Sequence, residues 1–258
     1  GVHIVVPKDA LDADAALCFV TEKSVLFVIP WGDYWIIGTT DTDWTMNLAN
    51  PAPTRADIDY ILEHINAKVK RQITYDDIVG VYAGLRPLVA GSSDSTTNLS
   101  RNHAVARVAP GLVSVAGGKY TTYRVIGADT VDAAKEDIPF DVPDSVTTDV
   151  PLLGADGYHA LANQIPQLAK RLGISEKTVE HLLNRYGSLI YEVLAPADKD
   201  KSLLEPIPGA PAYLMAEALY AATHEGAAHL EDILHRRMRL AMEYDHRGVE
   251  CAEAVSKL

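Results

Sequence analysis

Four basic side chains, His3, Arg86, Arg101 and Lys119, each stand beside a strand-like run or a glycine turn in an otherwise acidic chain. A guanidinium offers a planar fork suited to phosphate or carboxylate. An ammonium offers a point charge, and an imidazole of ordinary pKa near ~6.5 exchanges a proton near neutrality. Together these groups suit a small anion held next to a proton transfer. Gly117-Gly118 adds a second feature, because it precedes a helical pattern. The free N–H groups of a helix start hold partial negative charge, and glycine permits close backbone approach. Taken singly, each residue also has a plainer reading: His3 as a structural strand residue, Arg86 as a turn donor before Pro87, Lys119 as a surface lysine.

Three better-known patterns begin and then break. Gly118-Lys119 looks like the close of a phosphate-binding loop, but the opening glycine would fall on Val113 and the following Ser/Thr is Tyr120. His224-Glu225 starts like a zinc-protease helix, yet the next histidine, His229, is one residue past the position that faces the same ion, so no metal site is expected. Asp41-Thr42-Asp43-Trp44-Thr45 has the spacing of an aspartyl phosphatase loop without its parallel-sheet context, and Asp76-Asp77 precedes Lys119 where an acidic pair should follow a lysine. Carboxylates capping a strand-end turn are the favoured reading of Asp41 and Asp43.

The elements that must position these residues follow from pattern. β-Branched and aromatic residues concentrate in 2–7, 24–30, 34–40, 78–87, 104–108 and 112–116, which predicts strands. One helix interrupts them, with Thr54 and Asp57 as a capping signal and Ile58, Ile61, Leu62, Ile65 and Val69 at helical spacing. A single helix among strands argues for an antiparallel or mixed sheet rather than a doubly wound one. Tyr123, Val125, Ile126, Ala128, Val131 and Ala134 then suit a helix opening at Gly117-Gly118. Pro139, Pro143 and Pro151 punctuate a polar linker over 137–149, placing a boundary near Ile138. Beyond it, 161–172, 175–186, 187–195, 212–223 and 230–244 read as helices. The expectation is an α+β region over 1–137 and a linker with a small all-α domain over 138–258.

Composition bounds the partners. The 258 residues suit one large domain or two ordinary ones, and 48% hydrophobic with 22% charged residues is globular. A formal net charge of −12 argues against a nucleic-acid partner. Cys18 and Cys251 are distant and form no CxxC, so a reducing compartment is expected. The most apolar stretch, 24–40, is broken by Gly32 and Asp33 and falls short of the ~18 to 20 residues that span a bilayer. The chain opens on Gly1 in a strand-like run without a basic leader, so it is expected to begin inside a longer protein. On that reading the final Ser256-Lys257-Leu258 is a cut point rather than a peroxisomal address.

The segments Val2-His3-Ile4-Val5-Val6-Pro7, Phe27-Val28-Ile29-Pro30-Trp31, Ile37-Gly38-Thr39-Thr40-Asp41, Gly84-Leu85-Arg86-Pro87-Leu88 and Gly117-Gly118-Lys119-Tyr120-Thr121-Thr122-Tyr123-Arg124 resemble the FAD-dependent glycerol-3-phosphate dehydrogenases in order and spacing. Leu230-Glu231-Asp232-Ile233-Leu234-His235-Arg236-Arg237-Met238-Arg239 is similar to that family's C-terminal helical domain. The family also opens with a strand and GxGxxG that bind the ADP half of FAD, and this sequence contains no GxGxxG. The resemblance therefore implies a C-terminal fragment, inactive alone, whose missing partner is the N-terminal FAD-binding half.

What the resemblance implies for chemistry is oxidation of sn-glycerol 3-phosphate to dihydroxyacetone phosphate, with hydride passing to FAD and electrons onward to quinone. It assigns His3 to proton acceptance at the C2 hydroxyl, Arg86 to the neighbourhood of flavin and reacting carbon as a second base-assisting group, Arg101 to the phosphate and Lys119 to a bridge between substrate and flavin. Backbone N–H groups among Gly117, Gly118, Lys119, Tyr120, Thr121 and Thr122 are assigned to the flavin edge. It further implies a cytoplasmic protein peripheral to the inner membrane face, and allows a homo-oligomer. Two other readings stay open: another flavin-dependent amine or amino-acid oxidase, with Arg101 and Lys119 holding a carboxylate, and a non-catalytic docking or scaffold fragment.

Overall fold

A computed structural model describes residues 1–22, 24–89 and 102–258, so Arg101 lies outside the described residues. The chain divides into two compact units, Gly1–Asp77 with Val81–Val150, and Ile78–Gly80 with Pro151–Leu258. The linker residues 137–149 group with the first unit and contain no helix or strand.

The first unit is built on a five-stranded sheet of β1 (Val2–Pro7), β2 (Leu17–Val20), β3 (Val25–Trp31), β4 (Tyr34–Gly38) and β5 (Gly80–Ala83), in the order β2-β3-β4-β1-β5. The pairs β2–β3, β3–β4 and β1–β4 are antiparallel. Residues directly opposite in such a ladder share a face. Ile4 and Val6 thereby align with Ile37 and Trp35, and Val28 with Ile37. All five are fully buried, as are Ile61 and Ile65 of α1 (Arg55–Asn66), the helix packed on β1 and β3. His3 alternates onto the opposite face. The strand expected over 78–87 is shorter because Gly84 and Pro87 do not sustain a ladder, whereas β2 was not expected at all.

Helix α1 starts where the sequence places its cap. Thr54 Oγ1 accepts the Asp57 N–H at 3.2 Å, and the Asp57 carboxylate accepts the Thr54 N–H at 3.0 Å. Thr42 donates to the same carboxylate at 2.8 Å, fastening the loop after β4 to the helix. Burial alone would push the Asp57 carboxyl up, but hydrogen bonds from Thr54, Thr42 and Thr40 bring it below its ordinary value. Thr54→Ala should therefore cost about 1 to 2 kcal/mol. The denaturation midpoint read by tryptophan fluorescence reports it, since buried Trp35 sits in this sheet; an unchanged midpoint contradicts the cap.

The first unit continues with the hairpin β6 (His103–Ala109) and β7 (Leu112–Gly117), then α2 (Tyr123–Lys135), which packs on both strands. Gly117 and Gly118 have φ of 77° and 84°, a region that disfavours side chains. A Cβ on Gly117 would stand 2.6 Å from Val89 Cγ2, and one on Gly118 2.6 Å from Ile126 Cδ1. A short 3₁₀ turn, Tyr120–Thr122, intervenes, so the α-helix proper begins later than the glycines.

The second unit holds α3 (Tyr158–Ala162), α4 (Ile165–Leu172), α5 (Glu176–Tyr186), α6 (Ile190–Leu194), the hairpin β8 (Pro206–Ile207) and β9 (Ala210–Leu214), α7 (Met215–Thr223), α8 (Leu240–Glu243) and α9 (Ala252–Val255). Ser175 caps α5 through the Thr178 N–H at 3.0 Å, as its position in the sequence suggests. The helix expected over 161–172 divides into α3 and α4, with Pro166 in the first turn of α4, where its missing N–H does no harm. The one expected over 212–223 starts as strand, because Pro208-Gly209 makes a turn with Gly209 at φ 84°. The stretch 230–244 is a π-turn, Asp232–Arg237, then a left-handed residue, Arg239 at φ 64°, then α8.

Candidate active site

Strand β1 presents His3 opposite Gly38 of β4. Only glycine suits that position: an added Cβ would lie 2.4 Å from His3 Cδ2 and 2.7 Å from the Val2 carbonyl oxygen. The imidazole stacks on Tyr82 of β5, with ring centroids 5.0 Å apart and planes 5° from parallel. Among the described residues its ring nitrogens make no hydrogen bond. Burial pushes the imidazole down to about 4, and the Gly1 amine and the Arg86 guanidinium add repulsion. The ordinary value near ~6.5 assumed for a lone histidine does not apply. His3 is neutral at neutral pH and able to accept a proton.

Arg86 follows β5 and reaches back to the end of β4. Its Nη1 donates to Asp41 Oδ1 at 2.8 Å, and its Nη2 to the Thr40 carbonyl at 3.1 Å and to Thr39 Oγ1 at 3.4 Å. Thr40 is itself buried, its Oγ1 accepting the Val2 N–H at 3.1 Å beside His3. The structure thus brings His3 and Arg86 together, along with Asp41, Gly38 and Tyr82, to which the sequence reading gave no place in the site. The segment holding Gly38 and Asp41 did stand out by its resemblance, but pairing Asp41 with an arginine 45 positions away needs the fold.

Lys119 is exposed, and no hydrogen bond or ion pair joins its ammonium to His3 or Arg86 among the described residues. It heads the turn after β7, where Tyr120 is 91% exposed. The Thr122 N–H donates within the turn to the Lys119 carbonyl at 3.0 Å, which removes it from the expected donor set. Neither Lys119 nor Thr122 caps the turn or α2 with its side chain. An open glycine-led backbone of this kind fits one edge of a planar, partly anionic group such as a flavin ring, with Gly118, Lys119, Tyr120 and Thr121 supplying N–H donors.

The lowered His3 pKa has a stability consequence. The unfolded chain binds the proton at the ordinary pKa near 6.5, whereas the folded chain waits until about 4. The His3 contribution is therefore complete above pH 6.5 and is lost as pH falls toward 4. Urea midpoints taken near pH 7 and near pH 4.5 should fall further for the wild type than for His3→Gln; equal falls contradict the burial argument.

Comparison with known proteins bears on this geometry. A family model described as FAD dependent oxidoreductase matches residues 1–124, and one described as the C-terminal domain of alpha-glycerophosphate oxidase matches residues 145–258. Glycerol-3-phosphate dehydrogenase 2 of Mycobacterium tuberculosis (strain ATCC 25618 / H37Rv) is 60% identical over 258 residues, covering all of this chain and 44% of that protein. Glycerol-3-phosphate dehydrogenase of Mycobacterium leprae is 58% identical over 256 residues, covering 99% of this chain and 44% of its own length. The chain thus spans under half the length of these relatives. The crystal structure of glycerol-3-phosphate dehydrogenase from Bacillus halodurans complexed with FAD superposes with a TM-score of 0.77 at 27% identity, over 99% of this chain and 55% of that one. With two successive models over most of its length and this identity from end to end, the chain belongs to the FAD-dependent glycerol-3-phosphate dehydrogenase family.

Proposed function

We propose that the chain is the substrate-facing and C-terminal portion of a flavoprotein that oxidises sn-glycerol 3-phosphate to dihydroxyacetone phosphate. The observation that carries this reading is a neutral imidazole with open nitrogens beside a held guanidinium, on the sheet face away from α1. FAD, when bound, supplies the acceptor for the hydride leaving C2. His3 takes the proton of the C2 hydroxyl, which a neutral imidazole can do and an imidazolium cannot. Arg86 favours negative charge on that oxygen, Arg101 holds the phosphate, and Lys119 bridges substrate and cofactor. The Gly118–Thr121 N–H groups hold the cofactor's ring edge.

The missing part of the cofactor site belongs to the same proposal. Helix α2 buries none of its residues, and Val108, Leu112, Val125 and Val131 of its layer are each at least 50% exposed, which supports a further flavin-binding segment completing that layer. Quinone as onward acceptor, attachment to the inner membrane face and homo-oligomerisation are proposed on family grounds. No helix among the described residues is long and apolar enough to cross a membrane.

Expressed alone, the chain should purify colourless and silent toward glycerol 3-phosphate. Within a reading frame that supplies a strand and GxGxxG ahead of Gly1, it should retain FAD and reduce a dye when given glycerol 3-phosphate. FAD retention and glycerol 3-phosphate oxidation by the 258 residues alone would overturn the fragment reading.

A further inference from the structure

We propose that Asp41 is a positioning residue, one that sets the Arg86 guanidinium against His3 without itself touching substrate; its catalytic meaning rests on the function proposed above. The argument starts from the fork. A guanidinium has five N–H donors. One Nη1 donor goes to Asp41 at 2.8 Å, and the Nη2 edge goes to Thr40 O at 3.1 Å and Thr39 Oγ1 at 3.4 Å. Gripped from two sides, the group cannot rotate freely, and among the described residues its Nε and second Nη1 donors meet no acceptor. The Arg86 side chain is 24% exposed and that of Asp41 only 9%, so the pair is partly shielded from water and its geometry is worth more than that of a surface pair.

The grip is itself anchored on three successive residues. Thr40 Oγ1 accepts the Val2 N–H at 3.1 Å, tying the loop to the strand that carries His3. Asp41 holds Arg86. Thr42 donates to Asp57 Oδ1 at 2.8 Å, tying the loop to the cap of α1. Without the Asp41 carboxylate, no charged acceptor bonded to Arg86 among the described residues opposes the pull of water on the guanidinium. The Thr39 and Thr40 oxygens alone are weaker acceptors than a carboxylate. A swing of Arg86 into solvent would remove the positive charge that lowers the proton affinity of His3.

Two explanations for Asp41 predict opposite signs, which makes the inference testable on this chain. If Asp41 merely contributes charge, deleting it leaves Arg86 in place and unopposed, and the His3 titration moves down or stays. If Asp41 positions Arg86, deleting it releases the guanidinium, and the titration moves up. The probe is the His3 imidazole followed by NMR against pH in the 258-residue chain, where the Gly1 amine and Tyr82 are the same in every variant. Arg86→Gln should raise the midpoint from about 4, toward the ordinary imidazole value. Asp41→Ala should raise it in the same direction and by no more than Arg86→Gln does, a shift of less than about one pH unit because Arg86 is the smallest of the three causes. The double variant should add nothing further, and Asp41→Asn, which keeps the oxygen acceptor, should restore much of the low midpoint. If Asp41→Ala does not fold, Asp41→Ser is read in its place, since its hydroxyl is too short to reach the fork. A midpoint for Asp41→Ala, or for Asp41→Ser read in its place, that is unchanged or lower overturns the positioning role. Failure of the wild-type complete flavoprotein to reduce a dye with glycerol 3-phosphate overturns the substrate assignment, and the NMR result then decides the grip by itself.

Discussion

Replacing His3 with Ala in the complete flavoprotein should lower turnover with glycerol 3-phosphate by ~10²- to 10⁴-fold while changing the Michaelis constant far less. On the proposed function, hydride leaves C2 as the neighbouring hydroxyl loses its proton, and His3 is the group that would receive it. On the same proposal Arg86 would stabilise the resulting oxygen charge, and a guanidinium is too poor a proton acceptor to take over. The pH dependence follows from the same geometry. A base works above its own pKa, and burial foremost, then the Gly1 amine and Arg86, hold His3 below its ordinary value. Activity should therefore persist to lower pH than an exposed histidine would allow, and the acidic limb should disappear in His3→Ala. An unchanged limb with near-normal turnover would reduce His3 to a packed strand residue.

The largest effect on stability should come from Glu217→Ala, in the second unit, at about 3 to 5 kcal/mol. Glu217 is fully buried at the start of α7. Its carboxylate accepts the Leu214 N–H at 2.9 Å and the Tyr186 hydroxyl at 3.2 Å, lies 2.9 and 3.1 Å from His181 Nε2, and stands 3.6 Å from Arg185 Nε. Arg185 in turn lies over the rings of Tyr186 and Tyr213. Removing the carboxylate takes the ion-pair partner from a largely buried guanidinium, which keeps only the neutral Arg237 carbonyl and Tyr186 hydroxyl, and the acceptor from the Leu214 N–H, a cost that repacking with alanine does not offset. Near-UV circular dichroism of the tyrosines reads it, because Trp31, Trp35 and Trp44 all belong to the first unit and report separately. A midpoint within error of wild type would show the cluster to be energetically neutral.

How far the sequence foretold this depends on whether a feature is local. The strands β1, β3, β4, β6 and β7 follow from runs of β-branched residues, the cap at Thr54 from Thr and Asp three positions apart, and the cap at Ser175 from a serine heading a helical pattern. β2 is only four residues, with Cys18 between Leu17 and Phe19, too short to stand out. The break at Arg239 is invisible to periodicity, because apolar spacing continues across a residue whose φ has turned positive. His3 and Arg86 were found by type and place beside strands. The resemblance gave them joint roles, but their geometry was not legible, since His3 is buried beside Tyr82 and Arg86 is gripped by Asp41, partners 79 and 45 residues away that only the β4-β1-β5 arrangement brings near. Glu217 looks in sequence like any helix-start glutamate, and its burial depends on α5 supplying His181, Arg185 and Tyr186.

The claim that this chain furnishes the substrate side of a glycerol 3-phosphate-oxidising flavoprotein is tested most directly by anaerobic titration of the complete protein. Stoichiometric sn-glycerol 3-phosphate should bleach the bound flavin and yield one dihydroxyacetone phosphate per flavin, and amino acids or amines should leave the spectrum as it was. Bleaching by an amino acid or amine, with glycerol 3-phosphate inert, would contradict it.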